Sequence, residues 1–271
     1  MTGPKVSVLM SVYNNVSSVD ESIRSIVTQT YRDWEMILVD DASTDGSKER
    51  LFGWQEQDGR IRVLVNETNA GLAASLNRAL EKASGEYVAR MDGDDVAMPH
   101  RFARQAAFLD ENPDCAIVSA GSVLFDEQGE WGRRNGPPRP ERRDLLWGSP
   151  FLHPATMMRR QALLSAGGYR VSKDTLRTED YDLFMRMYAL GFYGCNLKEP
   201  LLYYFERRRP RRVHFAQRWR EVKTRYRGFK ALGLMPRGFF YVFKPLLTGL
   251  VPGRLKRKYQ EQKYNALGGG G

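Results

Sequence analysis

What most restricts the fold of this chain is an alternation. Apolar runs at residues 6–13, 34–39, 61–65 and 87–89 are separated by segments of helical spacing. Val19, Ile23, Ile26 and Val27 share one helical face beside Asp20, and Leu72, Leu76, Leu80 and Ala83 form another stripe that stops at Gly85. Short continuous apolar runs read as strands buried on both faces, which calls for a mostly parallel sheet with helices on both faces. Ligands of such sheets collect beyond the carboxyl ends of the strands. Polar residues follow each run here: Tyr13 and Asn14, then Asp40 and Asp41, then Asn69, then Asp92 and Asp94. The alternation therefore predicts that they line one rim.

The last group belongs to Met91-Asp92-Gly93-Asp94-Asp95, three carboxylates around one glycine. Carboxylates this close repel one another, and a bound cation relieves the repulsion. Oxygen donors without His or Cys suit a hard cation. The same string also reads as a solvated acidic turn, with Gly93 supplying the backbone freedom and Asp95 capping the next segment.

Beyond the cluster the pattern predicts a helix over 101–111, a strand over 116–125 and a loop over 129–140. An edge strand at 155–159 follows Leu152-His153-Pro154, and two short strands at 192–197 and 201–205 close the domain. Thr178-Glu179-Asp180-Tyr181-Asp182 opens a helix running to Leu190. Acids in a first helical turn are favoured by the helix dipole whatever their function, and that position lowers a carboxylate's pKa unless burial raises it again.

The net charge of +10 is unevenly spread. Residues 207–271 hold 18 Lys and Arg against 2 acids, so the first 206 residues are net acidic. The chain therefore divides into an acidic body, 1–206, and a basic, aromatic-rich extension, 207–271. In the extension the run at 207–212 is followed by Phe215, Trp219, Tyr226 and Phe229, then by Phe239-Phe240-Tyr241-Val242-Phe243, and by another basic cluster at 256–258. Helices of this kind suit an anionic membrane surface; the alternative is an appendage whose aromatics pack on the body. No nucleic acid is expected, because an apolar aromatic block has little use on DNA. No apolar run approaches the roughly 20 residues of a membrane-spanning helix, and Met1 leads into a strand pattern without a signal peptide. Cys115 and Cys195 lie in apolar segments and read as core thiols of a reducing compartment. The expected location is cytoplasmic, peripheral to the inner face of the membrane. Residues 268–271 are all glycine and read as a frayed end.

Taken together, Val6-Ser7-Val8 through Tyr13-Asn14, Val39-Asp40-Asp41-Ala42-Ser43-Thr44-Asp45, Asn69-Ala70-Gly71 with Asn77, Gly85-Glu86-Tyr87 into Asp92-Gly93-Asp94-Asp95, and Thr178-Glu179-Asp180-Tyr181-Asp182 resemble the inverting glycosyltransferases of family 2, over roughly residues 5–206. The resemblance implies a GT-A fold, a nucleotide-diphosphate sugar donor (a UDP-sugar being expected), a Mn²⁺ or Mg²⁺ cofactor, and a glycan or lipid-linked acceptor in surface polysaccharide synthesis. It implies Asp94 as the metal ligand and Asp180 as general base, with Glu179 orienting the site. Ser11, Tyr13, Asp41, Asn69, Asp92 and Asp94 would bind the nucleotide sugar, Asp41 at the base edge and Asp92 at the ribose. His153 falls on the acceptor side, and His214 is a weaker candidate near the diphosphate. Gln217-Arg218-Trp219-Arg220 departs from the Gln-x-x-Arg-Trp motif of processive members, which argues for addition of a single sugar. The alternative is a catalytically silent nucleotide-sugar or membrane-binding module, against which the full set of Asp92, Asp94 and Asp180 stands. The sugar, the base, the acceptor and the oligomeric state are not legible in the sequence.

Overall fold

The computed structural model describes residues 3–208 and 214–251. β1 (Val6–Val12), α1 (Val19–Val27), β2 (Trp34–Asp40), α2 (Ser47–Gln57), β3 (Ile61–Val65), α3 (Leu72–Lys82) and β4 (Tyr87–Arg90) follow the predicted alternation. β1 pairs in parallel with β2 and β4, and β2 with β3. Successive side chains of these strands enter two different cores. Leu9, Ile37, Val39 and Val88 pack with Leu76 and Leu80 of α3, whereas Val8, Met10, Met36 and Leu38 pack with Ile23 and Ile26 of α1. That is why the runs are continuously apolar, since each buried aliphatic side chain on either face contributes about 1.5–3 kcal/mol.

The chain continues through β5 (Val96–Ala97), α4 (Arg101–Glu111), β6 (Cys115–Asp126), β7 (Gly129–Arg134), β8 (Met157–Arg159), α5 (Arg160–Ser165), α6 (Glu179–Ala189) and β9 (Tyr193–Phe205). The strands lie in the order β3-β2-β1-β4-β8-β6-β9-β5, and β7 pairs with β6. β8 is antiparallel to both β4 and β6, while β6 and β9 are parallel. β1 to β4, β6 and β9 therefore share one direction, and β5, β7 and β8 oppose it.

Three expectations for the second half change, and one strand is added. β8 is an interior strand between β4 and β6; its three residues looked like an edge because they are few, yet Met157 and Met158 are wholly buried. The expected loop at 129–140 begins with β7, an exposed strand that hairpins onto β6 and carries little apolar signal. The two short closing strands are one strand, β9, whose register against β6 slips on either side of Gly121. A Cβ at Gly121 would lie 2.8 Å from the Lys198 carbonyl oxygen, so a side chain there would push the two strands apart. β5, two residues long, offered no periodicity to read, and pairs with β9 at Tyr203 and Leu202.

The extension forms α7 (Phe215–Ala231), α8 (Phe239–Val242) and α9 (Lys244–Leu250). Val222, Phe229 and Val242 join the core that holds Phe184 and Met185 of α6. The two helices cross at Gly228, where a Cβ would collide with Met185 Sδ. Phe240, Phe215 and Trp219 remain exposed. No helix among the described residues is long and apolar enough to cross a membrane. The basic residues 209–212, the cluster at 256–258 and the glycines at 268–271 lie outside the described residues.

Candidate functional site

β4 delivers the chain to the rim at Asp92-Gly93, and the turn is held from α1. The Ser18 hydroxyl donates to the Gly93 carbonyl at 2.8 Å and the Ser22 hydroxyl to that of Asp95 at 2.6 Å. Asp92, Asp94 and Asp95 each present a carboxylate oxygen within 4.8 Å of the others. Asp95 is wholly buried; its Oδ1 accepts the Phe205 amide at 2.8 Å and its Oδ2 has no partner. Burial, with Asp92 and Asp94 adding to it, raises its pKa well above the usual carboxylate range. Asp95 is thus not the expected cap; it ties the turn to the end of β9 and keeps one buried oxygen without a hydrogen bond. An all-oxygen set with one orphaned buried acceptor fits a hard divalent cation.

Arg90, the last residue of β4, is 1% exposed, and its Nη2 lies 2.5 Å from Asp92 Oδ1. Its Nε and Nη1 have no partner. Burial alone would lower its pKa, but Asp92, Tyr169 and Asp95 more than offset this, so the guanidinium stays charged. Arg101, also wholly buried, donates to the carbonyls of Arg90 and Thr156 and so joins β4 to the approach to β8.

Ser11, Tyr13 and Asp41 come together where β1 and β2 end, with the Asp41 amide donating to the Val12 carbonyl at 2.8 Å. Tyr13 is half exposed and Ser11 half-buried. Asp41, 2% exposed, shapes the loop after β3: its Oδ1 accepts from Asn66 Nδ2 at 2.7 Å and the Ala70 amide at 2.8 Å, and its Oδ2 from the Gly71 amide at 2.8 Å. Oδ1 is saturated by these bonds, and Oδ2 retains one lone pair for a ligand. Asn69 stands exposed on the same loop. Asn77 is structural, clamping the Tyr169 backbone through both its amide atoms at 2.7 and 2.8 Å.

At the start of α6, Asp180 is half-buried and its pKa is raised, burial outweighing the backbone amides, Arg134 and Arg90, which favour the charge. Desolvation therefore wins over the helix terminus, the direction a general base needs. Glu179 is buried, with Oε2 unpartnered and its pKa raised mainly by burial and also by Asp180. Asp182, an acid of the first turn of α6, is 3% exposed and pairs with Arg186 Nε at 2.7 Å and Arg170 Nε at 3.1 Å. Its neighbours on α6 and the preceding turn need a carboxylate there to neutralise two cations.

His153 is buried, its Nε2 2.8 Å from the Tyr169 hydroxyl. Burial and the Arg90 charge push its pKa well down, so it is neutral. Its Nε2 is thus engaged by another buried side chain, Tyr169. His100 and His214 are exposed and precede α4 and α7 as N-cap residues. The structure thus gathers Asp92, Asp94 and Asp95 directly. Arg90, within reach of Asp92, also influences Asp180, Glu179 and Tyr169. The motifs had not pointed to Arg90, Arg134 or Tyr169, although an arginine closing an apolar run was a visible signal.

Residues 7–168 match the family model for glycosyl transferase family 2. The chain belongs to this glycosyltransferase family. It is 39% identical over 265 residues to the putative glycosyltransferase EpsE of Bacillus subtilis, covering 97% of this chain and 95% of that one. Among solved structures, the fold is similar to that of S. aureus TarS 1-349 in complex with UDP-GlcNAc, with a TM-score of 0.66 at 19% identity over 87% of this chain and 72% of that one. The mannosyltransferase PcManGT from Pyrobaculum calidifontis, in complex with GDP-Man and Mn2+, gives a TM-score of 0.60 at 21% identity, covering 99% of this chain and 76% of that one. The fold is that of the GT-A glycosyltransferases, a mixed α/β sheet covered by helices.

Proposed function

We propose that this family 2 enzyme transfers one sugar, with inversion, from a nucleoside-diphosphate sugar (a UDP-sugar being expected) to a hydroxyl of a glycan or lipid-linked acceptor in surface polysaccharide assembly. The observation that carries the reading is the convergence of a hard-oxygen acid cluster and a desolvated carboxylate, Asp180, around one buried guanidinium. Asp180 takes the proton of the acceptor hydroxyl as that oxygen bonds to the anomeric carbon. The bond from that carbon to the phosphate oxygen breaks, and its electron pair leaves with the nucleoside diphosphate. One displacement inverts the centre. Glu179 orients Asp180, Asp92 holds the ribose, and Asp41 with Tyr13, Ser11 and Asn69 forms the nucleotide cradle. A Mn²⁺ or Mg²⁺ ion held by Asp94, with Asp92 and Asp95 in reach, would supply positive charge to the leaving diphosphate. The nucleotide sugars bound by TarS and PcManGT, and the Mn2+ of the latter, support this reading.

The extension supports work at the inner face of a membrane. Trp219, Tyr226, Phe239 and Phe240 are exposed among basic residues, and each basic residue near an anionic surface adds about 1 kcal/mol. Because Val222 and Phe229 belong to the core, truncation at 206 would damage the body; Phe240→Glu is the cleaner test. Co-sedimentation with phosphatidylserine vesicles should fall with salt and with this substitution, and unchanged co-sedimentation of Phe240→Glu sinks the membrane assignment.

For catalysis the test is a screen of UDP- and GDP-sugars with Mn²⁺, reading release of nucleoside diphosphate. Release that EDTA abolishes is expected. Full transfer by both Asp94→Ala and Asp180→Asn would remove the mechanistic assignment.

A further inference from the structure

A cavity of about 310 Å³ opens between the end of β7 and the segment leading to β8. Its size is at the small end of the roughly 300–1,000 Å³ usual for ligand pockets. Arg134, Asn135, Asp144, Trp147, Ser149 and Asn196 supply its polar and aromatic lining.

The walls are built, not incidental. Asn196 Nδ2 donates to the carbonyls of Pro137 at 2.7 Å and Pro150 at 3.2 Å, tying the two sides together from β9. At Gly136 the backbone comes so close that a Cβ would collide with the Pro150 carbonyl and lie 2.6 Å from Asn196 Nδ2. The turn at Asp144 is fixed by the Glu141 amide, which donates to Asp144 Oδ2 at 2.7 Å. The Trp147 indole meets Tyr241 edge-on at 4.9 Å, and Lys244 Nζ donates to the Trp147 carbonyl at 2.6 Å. Despite these supports Trp147 is 62% exposed.

The segment that walls this cavity is hydrogen-bonded to α6. The Tyr181 hydroxyl, one residue beyond Asp180, donates to the Leu145 carbonyl next to Asp144, and the Tyr188 hydroxyl to that of Pro140 at 2.9 Å. Arg134 both lines the cavity and acts on Asp180. Lys244 Nζ stands 5.1 Å from the indole centroid, and the rest of the ring is exposed. A concavity with an exposed indole and several hydroxyl-binding groups is the chemistry that recognises a pyranose, whose C–H face stacks on a ring while its hydroxyls seek amides and carboxylates.

We propose that the cavity bounded by Arg134, Asn135, Asp144 and Trp147 is the acceptor subsite, taking a pyranoside that stacks on Trp147 and turns one hydroxyl toward Asp180. This rests on Asp180 being the base of a glycosyl transfer. Trp147 is a specificity-determining residue, and Asn135 and Asp144 bind the hydroxyls.

The probes are p-nitrophenyl pyranosides of glucose, galactose, mannose, rhamnose and the N-acetylhexosamines, in both anomers. Binding to the full chain is read by saturation-transfer-difference NMR, and UDP and GDP binding with Mn²⁺ by calorimetry. At least one pyranoside should bind, and Trp147→Ala should weaken it by at least about tenfold, the scale of losing an aromatic anchor. Trp147→Phe should restore most of the affinity. Ser149→Trp, which fills the cavity and keeps the indole, should also block binding, while nucleoside diphosphate affinity stays the same in all three variants. If no pyranoside binds, or if Trp147→Ala and Ser149→Trp bind as well as the wild type, the assignment is overturned. A failed transferase reading looks different: the wild type would then release no nucleoside diphosphate from any donor, whatever the pyranosides do.

Discussion

The two halves of the sheet build their parts of the site by different means. Up to β4, the residues proposed as the nucleotide cradle sit at the ends of neighbouring parallel strands, and the loops after β1 and β2 are sewn to each other. The Asn14 amide donates to Ser43 Oγ, the Thr44 amide to Asn14 Oδ1 and the Val16 amide to Asp45 Oδ2, all at 2.9–3.1 Å. In the second half, Asp180, Arg134 and Trp147 come from a helix start, a hairpin end and a loop. These are placed by side chains that reach across to distant carbonyls, as Asn196, Tyr181 and Tyr188 do. The first arrangement is local and repeats with the strand–helix unit; the second depends on each long-range tie.

The division should show first in catalysis. Asp94→Ala should cost turnover by about 10³-fold, several kcal/mol, together with Mn²⁺-dependent nucleoside diphosphate binding measured by calorimetry. Asp180→Asn should lower turnover by at least about 10²-fold and leave that binding intact; if it loses the nucleotide as well, the halves are not separable. The pKa of Asp180 lies above the ordinary Asp value of about 3.9, so kcat/KM should fall as pH drops through that raised value, and Asp180→Asn should lack this limb. The sign for stability is the reverse of a salt-bridged acid. The ionised carboxylate costs the fold free energy above the raised pKa, and this cost vanishes below the unfolded pKa. Asp180→Asn should therefore melt at the same or a higher temperature than the wild type at neutral pH, with no such advantage near pH 3.

Next in size are paired glycine substitutions. Gly136→Ala forces a collision with the Pro150 carbonyl and should cost about 1–3 kcal/mol in urea unfolding. Gly53→Ala in α2 has open space around the new methyl and should add about 0.5–1 kcal/mol of stability. Equal effects would erase the claim that the second half depends on individual close approaches. Smallest of all, Glu199→Gln removes an exposed pair with Arg104 at 2.8 Å that links α4 to β9, and should change stability by less than about 1 kcal/mol.

The first half was legible because burial on both faces writes itself into sequence as unbroken apolar runs, and the turn residues after each run mark the rim. β3 and α4 were predicted to the residue. In the second half, β7 is an exposed edge with a single large apolar residue, Trp131, and β5 is two residues long; neither leaves a period to detect. β8 could not reveal that it is interior, because three residues say nothing about their neighbours. In the site, the acidic motifs were readable as chemistry, but burial was not. Asp182 looked the same as Asp180 in the sequence, and only packing makes one a structural counter-charge for two arginines and the other a desolvated carboxylate. Arg90 was visible as a charge closing an apolar strand, yet its contact with Asp92 required the turn to be folded.

β8 has a consequence for how this enzyme can move. By pairing with β4 on one side and β6 on the other, three residues weld the two halves of the sheet into one continuous plate. A plate joined through its middle has no hinge along that seam. On the proposed mechanism, the distance from the leaving group to the attacking oxygen is then set when the chain folds, and any closure over substrates falls to the loops at the rim.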